Sequence, residues 1–239
     1  MNVQLFVPCF VDQLYPSTAF NVIKLLETAG CNVTYNSSQT CCGQPAYNAG
    51  FVKEAKDVAS KFLDDFAGAD YIVTPSASCG GFVKNYYSKL FENAATQFQT
   101  GSTSKRIFEL SAFLTEVIHF ENFNASLITR ATYHDSCAAL RECGIKDGPR
   151  RLLANVKGLE LVEMEDNETC CGFGGTFAVK FGAISQAMAE QKIQHAIDAN
   201  VDCIISTDLS CLMQLDGFIK KAGLPLQTMH IADVLASGW

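Results

Sequence analysis

The sequence predicts an α/β fold built from two tandem, similar halves, each with a mainly parallel sheet flanked by helices. Three observations carry this expectation. The chain repeats itself, since "VQLFVPC" ending at Cys9 is matched by "ATYHDSC" ending at Cys137, each a β-rich run that stops on a cysteine. The spacing repeats as well: Cys41 follows Cys9 by 32 residues and Cys170 follows Cys137 by 33, while Gly50 to Asp70 and Gly182 to Asp202 both span 20 residues. Finally, helical patterns alternate with the strand-like runs, the signature of βαβ units and hence of parallel pairing.

Taken in order, the first half reads as the strands "VQLFV", "NVTY", "YIVT" and "RIFEL", and the second as "ATYH", "ELVE", "CIIS" and "QTMHI". Each is short, β-branched or aromatic, and followed by turn residues. Between them lie "TAFNVIKLLETAG", "FVKEAKDVASKFLDDF" and "AISQAMAEQKIQHAIDAN", whose apolar residues recur at three and four. Gly30 stands where the first of these helices should stop. The boundary between halves falls near Glu121 to Ser126, dividing the chain into repeats 1–122 and 123–239.

With 239 residues, 48% hydrophobic and 18% charged, the chain has the composition of a globular protein with a sizeable core. A formal charge of -7 with 18 Lys plus Arg offers no basic stripe, which argues against nucleic acid or an acidic membrane surface as partner. The opening "MNVQLFVPCF" lacks the features of a signal peptide, and no later run is long and apolar enough to span a bilayer. A cytoplasmic location is therefore expected, where thiols stay reduced and 11 cysteines point to metal or redox chemistry rather than disulfides.

Ligands of parallel α/β sheets bind beyond the carboxyl ends of the strands. Cys9, Cys41, Cys42 and Cys79 all follow strand ends, as do Cys137, Cys170, Cys171 and Cys211, so four thiols per half are expected to converge as metal ligands. Four thiolates suit zinc or an iron-sulfur cluster. The vicinal pairs favour the cluster, because neighbouring cysteines can bind different irons, whereas structural zinc usually takes a C-x-x-C turn. Gly43, Gly80, Gly81, Gly172, Gly174 and Gly175 are candidates for close backbone approach to a bulky cofactor, and His134 and Asp135, just before Cys137, for a supporting or proton-relay role, the alternative for His134 being a satisfied strand-end histidine. Cys31, Cys143 and Cys203 have no counterpart in the other half and read as core or surface thiols, with Cys143 close enough in sequence to Cys137 to assist the second site. "CCGFGGTF" gives G-x-G-x-x-F, which departs from the dinucleotide fingerprint. Three more residues separate Cys171 from Gly182 than Cys42 from Gly50, and the longer loop brings Gly174 and Gly175. The second half is thus expected to be the better cluster holder.

The stretches "TCCGQPAYNAG", "YHDSCAALRECGI" and "TCCGFGGTF" resemble the CCG, or cysteine-rich, domain family, and the resemblance covers essentially the whole chain. That family includes a component of heterodisulfide reductase and the iron-sulfur subunit of glycolate oxidase. With two bare CCG halves, the chain is most similar to its lactate-utilization branch. The resemblance implies a redox component of a multi-protein system that oxidises L-lactate, working with an iron-sulfur partner protein. In the heterodisulfide reductase branch the motif ends in C-x-x-C; here Phe82 and Gln214 hold the final positions. Four-cysteine sites follow, for one or two 4Fe-4S clusters, with zinc in one half as the alternative cofactor. The rival functions are a zinc-holding assembly module and thiol-disulfide redox chemistry through the vicinal pairs. No catalytic residue is legible.

Overall fold

The computed structural model describes residues 1–239. Its strands form two four-stranded sheets in which every pairing is parallel. In the first, β1 (Asn2–Leu5), β2 (Asn32–Tyr35), β3 (Tyr71–Thr74) and β4 (Ile107–Glu109) run in the order β2-β1-β3-β4. In the second, β5 (Ser126–Tyr133), β6 (Lys157–Leu161), β7 (Cys203–Ser206) and β8 (Gln227–His230) run in the matching order β6-β5-β7-β8. The fold class is as the repeat implies. Strand order reverses beside the first strand of each sheet, the place where such sheets leave a crevice at their carboxyl rim.

Helices α1 (Cys9–Leu14) and α2 (Pro16–Thr28) follow β1; α3 (Gln44–Asn48) and α4 (Val52–Asp65) follow β2; α5 (Ala77–Leu90) and α6 (Ala94–Arg106) follow β3. A short α7 (Leu110–Ala112) then runs into a π-helical turn, Phe113–Val117. In the second half a π-helical turn, Ala138–Glu142, and α8 (Asp147–Ala154) follow β5. Next come α9 (Thr176–Lys180) and α10 (Gly182–Asp198), then α11 (Leu209–Ala222) after β7 and α12 (Ile231–Leu235) after β8. In α2 the proline sits at the first position, where its missing N–H costs nothing, and Val22, Leu25 and Leu26 form the buried stripe. Gly30 ends this segment at φ +82°, a conformation glycine adopts without a Cβ penalty.

Two elements differ from the sequence pattern. β6 starts at Lys157 rather than Glu160, because β5 reaches back to Ser126 and pairs there with Lys157 before its register shifts toward Thr129. Strand β5 comes so close at Gly158 that a Cβ there would lie 3.1 Å from the Ile128 side chain and 3.4 Å from its Cα. Helix α6 has little apolar periodicity to announce it; the Asn93 side chain starts it by accepting from Thr96 N.

The halves share one core. Val3, Leu5, Leu25 and Phe113 of the first pack in a single cluster with Tyr133, Leu152, Ile205 and Val234 of the second. The closing helices cross over, α12 lying against α2 and α7 against α8. Asp233 in α12 accepts hydrogen bonds from Thr18 Oγ1 and Asn21 Nδ2 of α2, each at 2.9 Å. Each half also keeps a separate outer cluster, one holding Cys42 and Cys79 with Phe62 and Tyr87, the other holding Cys171 and Cys211 with Ile193 and Leu215.

The two carboxyl rims meet at an antiparallel bridge between Ser76 and Asp208, equivalent positions of the repeat three residues before Cys79 and Cys211. The Asp208 side chain accepts from Ser210 N at 3.3 Å and Ser210 Oγ at 2.7 Å, capping its own helix α11. It also accepts from Ser78 N at 2.9 Å and Ser78 Oγ at 3.2 Å in α5. One buried carboxylate thus caps both cysteine-bearing helices. Losing a cap and a set of charge-assisted bonds together should cost about 2 to 4 kcal/mol, so Asp208→Ala is expected to lower the thermal midpoint by several degrees in calorimetry, with Asp208→Asn intermediate. An unchanged midpoint would show the junction to be held elsewhere.

Candidate metal centre

In the first half three loop ends deliver the cysteines. Cys9 opens α1 directly after Pro8 and is exposed, Cys41 and Cys42 precede α3, and Cys79 lies in the first turn of α5. The thiols interact in series, Cys9 with Cys41, Cys41 with Cys42, and Cys42 with Cys79. Gly43 closes the loop at φ +90°, and its N–H points at Cys41 Sγ, 3.4 Å away. A Cβ there would sit 3.3 Å from the Ala55 carbonyl of α4. Tyr87 Oη donates to the Cys42 carbonyl at 2.8 Å, and Val7 N donates to Gln39 Oε1 at 2.8 Å, tying the Cys9 loop to the Cys41 loop.

The second half repeats this arrangement. Cys137 leads into the π-helical turn, Cys170 and Cys171 end the loop after β6, and Cys211 lies in the first turn of α11. The series runs Cys137, Cys170, Cys171, Cys211. Gly172 N points at Cys170 Sγ, 3.4 Å away, with φ +87°. Glycine is required here on two counts, since a Cβ would also lie 2.5 Å from the Ser185 carbonyl. Asp135 N donates to the Asn167 carbonyl at 3.2 Å, the backbone counterpart of the Gln39 tie. This set is the more sheltered of the two, with Cys137 and Cys170 half-buried and Cys171 and Cys211 buried.

Each series concentrates negative charge on one sulfur. Hydrogen bonds from Cys42 and Cys9 pull the Cys41 thiol down to about 3, and those from Cys137 and Cys171 pull Cys170 down to about 2. The donors move the other way: Cys9, Cys42, Cys137 and Cys171 are raised, first by these same hydrogen bonds and then by burial. At Cys211 the bond with Cys171 lowers the thiol most strongly, but burial together with the nearby Asp208 and Cys170 leaves it raised. Soft sulfur donors that need a cation to release their remaining protons suit a thiophilic metal.

A buried histidine, lysine and carboxylate gather around the second set. His134 is fully buried, neither ring nitrogen has a hydrogen-bond partner, and one of them lies within 4.8 Å of both Cys171 Sγ and Cys211 Sγ. Burial holds this imidazole down to about 3. Lys192, also buried and pushed down to about 8 by burial, donates to the Asp166 carbonyl. Asp135 is clamped by Arg150, Nη1 to Oδ1 at 3.0 Å and Nη2 to Oδ2 at 2.8 Å, and Arg150 Nε reaches Glu163 at 2.6 Å. Lys192 and the Asp135 clamp carried no signal in the sequence beyond a helical lysine and an acidic residue near Cys137.

The other candidates separate. Gly174 and Gly175 take positive φ of 51° and 60° in the loop after Cys171, as a glycine turn requires. Gly80 and Gly81 serve packing instead: Gly80 N is already bonded to the Ser76 carbonyl inside α5, and a Cβ on Gly81 would lie 2.8 Å from Glu142 of the other half. Gly81 thus permits the close approach of α5 to the π-helical turn. Cys143 also lies at this junction, its Sγ 3.5 Å from the Ala77 carbonyl. Cys31 and Cys203 are core residues. Phe82 stacks on Tyr86 at 5.6 Å and Gln214 donates to Ser185 Oγ at 2.8 Å, so both positions that end the related C-x-x-C motif are used for packing. His230 caps α12 through Nδ1, Glu109 caps α7, and His119 and His195 bond only to backbone carbonyls.

Because their pKa values are lowered, Cys41 and Cys170 remain thiolates well below the ordinary thiol range and lose that form only as pH falls toward 3. At pH 5 an unperturbed cysteine is thiolate in roughly one molecule in several thousand. Brief iodoacetamide treatment of metal-free protein at pH 5 should therefore label Cys41 and Cys170 first by peptide mass spectrometry. Preferential labelling of Cys9, the most exposed thiol, would show that the negative charge does not reside on these two.

The family defined by the cysteine-rich (CCG) domain matches residues 3–84 and 131–216, once in each half. Lactate utilization protein A of Geobacillus kaustophilus is 46% identical over 98% of this chain and 98% of its own, and that of Halalkalibacterium halodurans is 41% identical over 98% and 96%. Among solved structures, a hypothetical protein from Helicobacter pylori matches with a TM-score of 0.63 at 11% identity, covering 100% of this chain and 49% of that one. This chain thus spans about half of that protein, and the likeness concerns the fold alone. With the domain matched in both halves and relatives similar from end to end, the chain belongs to the cysteine-rich (CCG) domain family.

Proposed function

We propose that the protein is an iron-sulfur redox subunit of a multi-protein system that oxidises L-lactate, carrying electrons through one or two 4Fe-4S clusters ligated by its two cysteine sets. The observation that supports this most is the double series of four interacting thiols, each gathered from three loops at a sheet rim. The names of the relatives point to lactate utilization as the setting. A bound cluster would supply one-electron redox chemistry; the chain's part is to hold it and set its surroundings. Cys42, Cys79, Cys171 and Cys211 are anchored in apolar clusters, which excludes water from one side of each site. The Gly43 and Gly172 N–H groups aim at sulfur, where a donor favours added negative charge. In this reading substrate oxidation itself belongs to a partner of the system. No helix is long and apolar enough to cross a membrane, and electrons are expected to pass through an iron-sulfur partner protein.

Anaerobic purification with iron, sulfide and zinc analysis tests the reading: about four iron and four sulfide per occupied half are expected. Stoichiometric zinc without sulfide would replace it with an assembly module. The second site, being the more sheltered and having the longer glycine loop, should hold its cluster better. Cys171→Ser is expected to remove more visible absorbance and more lactate-dependent electron flow than Cys42→Ser, and a larger loss from Cys42→Ser would reverse the ranking.

A further inference from the structure

The two cysteine sets differ most at one position. Val3 and Ala131 correspond in the repeat, which sets Phe6 of the first half against His134 of the second. Phe6 is fully buried in an aromatic cluster, its ring centroid 4.9 Å from Phe62 and 5.7 Å from Phe66. His134 occupies the same place with two nitrogens that nothing satisfies. A buried polar atom without a partner is costly and calls for an explanation, which a ligand supplying the missing bond provides. One His134 nitrogen lies within 4.8 Å of the Cys171 and Cys211 sulfurs, themselves within that distance of each other, which is the spacing of atoms that can share one metal ion.

The surroundings favour a lone pair directed at the thiols. Neutral imidazole has one N–H and one acceptor nitrogen. The backbone carbonyl of Asn167 lies where it favours a proton on the ring, though outside hydrogen-bonding geometry. A histidine that binds a metal characteristically turns its other N–H to a backbone carbonyl or carboxylate, and Asn167 is held beside this ring by Asp135 N at 3.2 Å. Asp135 is in turn fixed by the Arg150 clamp, so the segment carrying both His134 and Cys137 is braced. Nothing comparable surrounds Phe6.

We propose that His134 is a direct imidazole ligand of the metal centre in the second half, giving that site a nitrogen donor that the first half lacks. The inference rests on the reading of the second cysteine set as a metal centre. An imidazole that takes an iron from one of the four thiolates removes negative charge from the centre and raises its reduction potential, so the second site would be the more readily reduced.

The test uses full-length protein labelled with 15N-histidine and reconstituted anaerobically with iron and sulfide. Pulsed EPR of the reduced protein should show one strongly coupled nitrogen, absent in His134→Phe, which copies the first half, and in His134→Cys, which keeps a donor. The other histidines, His119, His195 and His230, are engaged with backbone groups, so a strong coupling has one source. His134→Phe should lose iron to a chelator from the second site at least about tenfold more readily. His134→Cys should retain iron and show a lowered midpoint potential, an effect that a merely structural residue would not produce. Iron bound with no coupling, or with a weak one characteristic of a hydrogen bond, would overturn the ligand while leaving the metal centre standing. A protein that binds no iron at the second set would sink both.

Discussion

The arrangement of both sites depends on one buried carboxylate. Asp208 accepts hydrogen bonds from the first turns of α11 and α5, the two helices that carry Cys211 and Cys79. A buried charge without compensation would be strongly destabilising; here two helix N-termini face it, each with partial positive charge and free N–H groups. The equivalent residue Ser76 is neutral, which keeps two like charges from meeting at the bridge. Because Cys79 and Cys211 each lie three residues beyond this bridge, the junction fixes the separation of the two sets, and the shared core prevents the halves from swinging apart.

On this rigid frame the two copies have diverged where it matters for chemistry. Backbone features are common to both: the positive-φ glycine after each vicinal pair, its N–H on the first sulfur, and a cysteine in the first turn of a capped helix. Side chains around them differ. Phe6, Val7 and Ser60 in the first half stand where the second has His134, Asp135 and Lys192. Apolar packing surrounds one set, and a braced group of ionisable side chains surrounds the other. The same four cysteines can thus be given two different surroundings by a fold that repeats its backbone geometry faithfully.

Much of this was legible in the sequence because its signals were local and doubled. Strand runs that stop on cysteine, and helices with apolar residues at three and four, needed no knowledge of tertiary contacts, and the duplication made each reading a check on the other. What escaped was nonlocal. The register shift that moves β6 arises from β5 reaching back to Ser126, and Gly81 is small because Glu142, 61 residues later, packs against it. The burial of Lys192 and the empty bonding positions of His134 appear only when the helix and loops are assembled. A glycine near a cysteine therefore reads the same in sequence whether it serves the cofactor or the neighbouring helix.

The thiol series also explains why each set pairs two exposed or half-buried cysteines with two buried ones. A set sealed entirely in an apolar core would hold all its protons, since burial raises every thiol, and would resist a metal. Leaving Cys41 and Cys170 half-buried, each beneath a glycine N–H and between two thiol donors, lets one sulfur of each set carry charge before any metal arrives. That anion would offer a cation its first contact, and each further thiol would have to release its proton to bind. The buried cysteines complete the site from the apolar side, where the sulfur–metal interaction is least weakened by water. Occupancy should accordingly favour higher pH, because metal uptake and proton release are the same event.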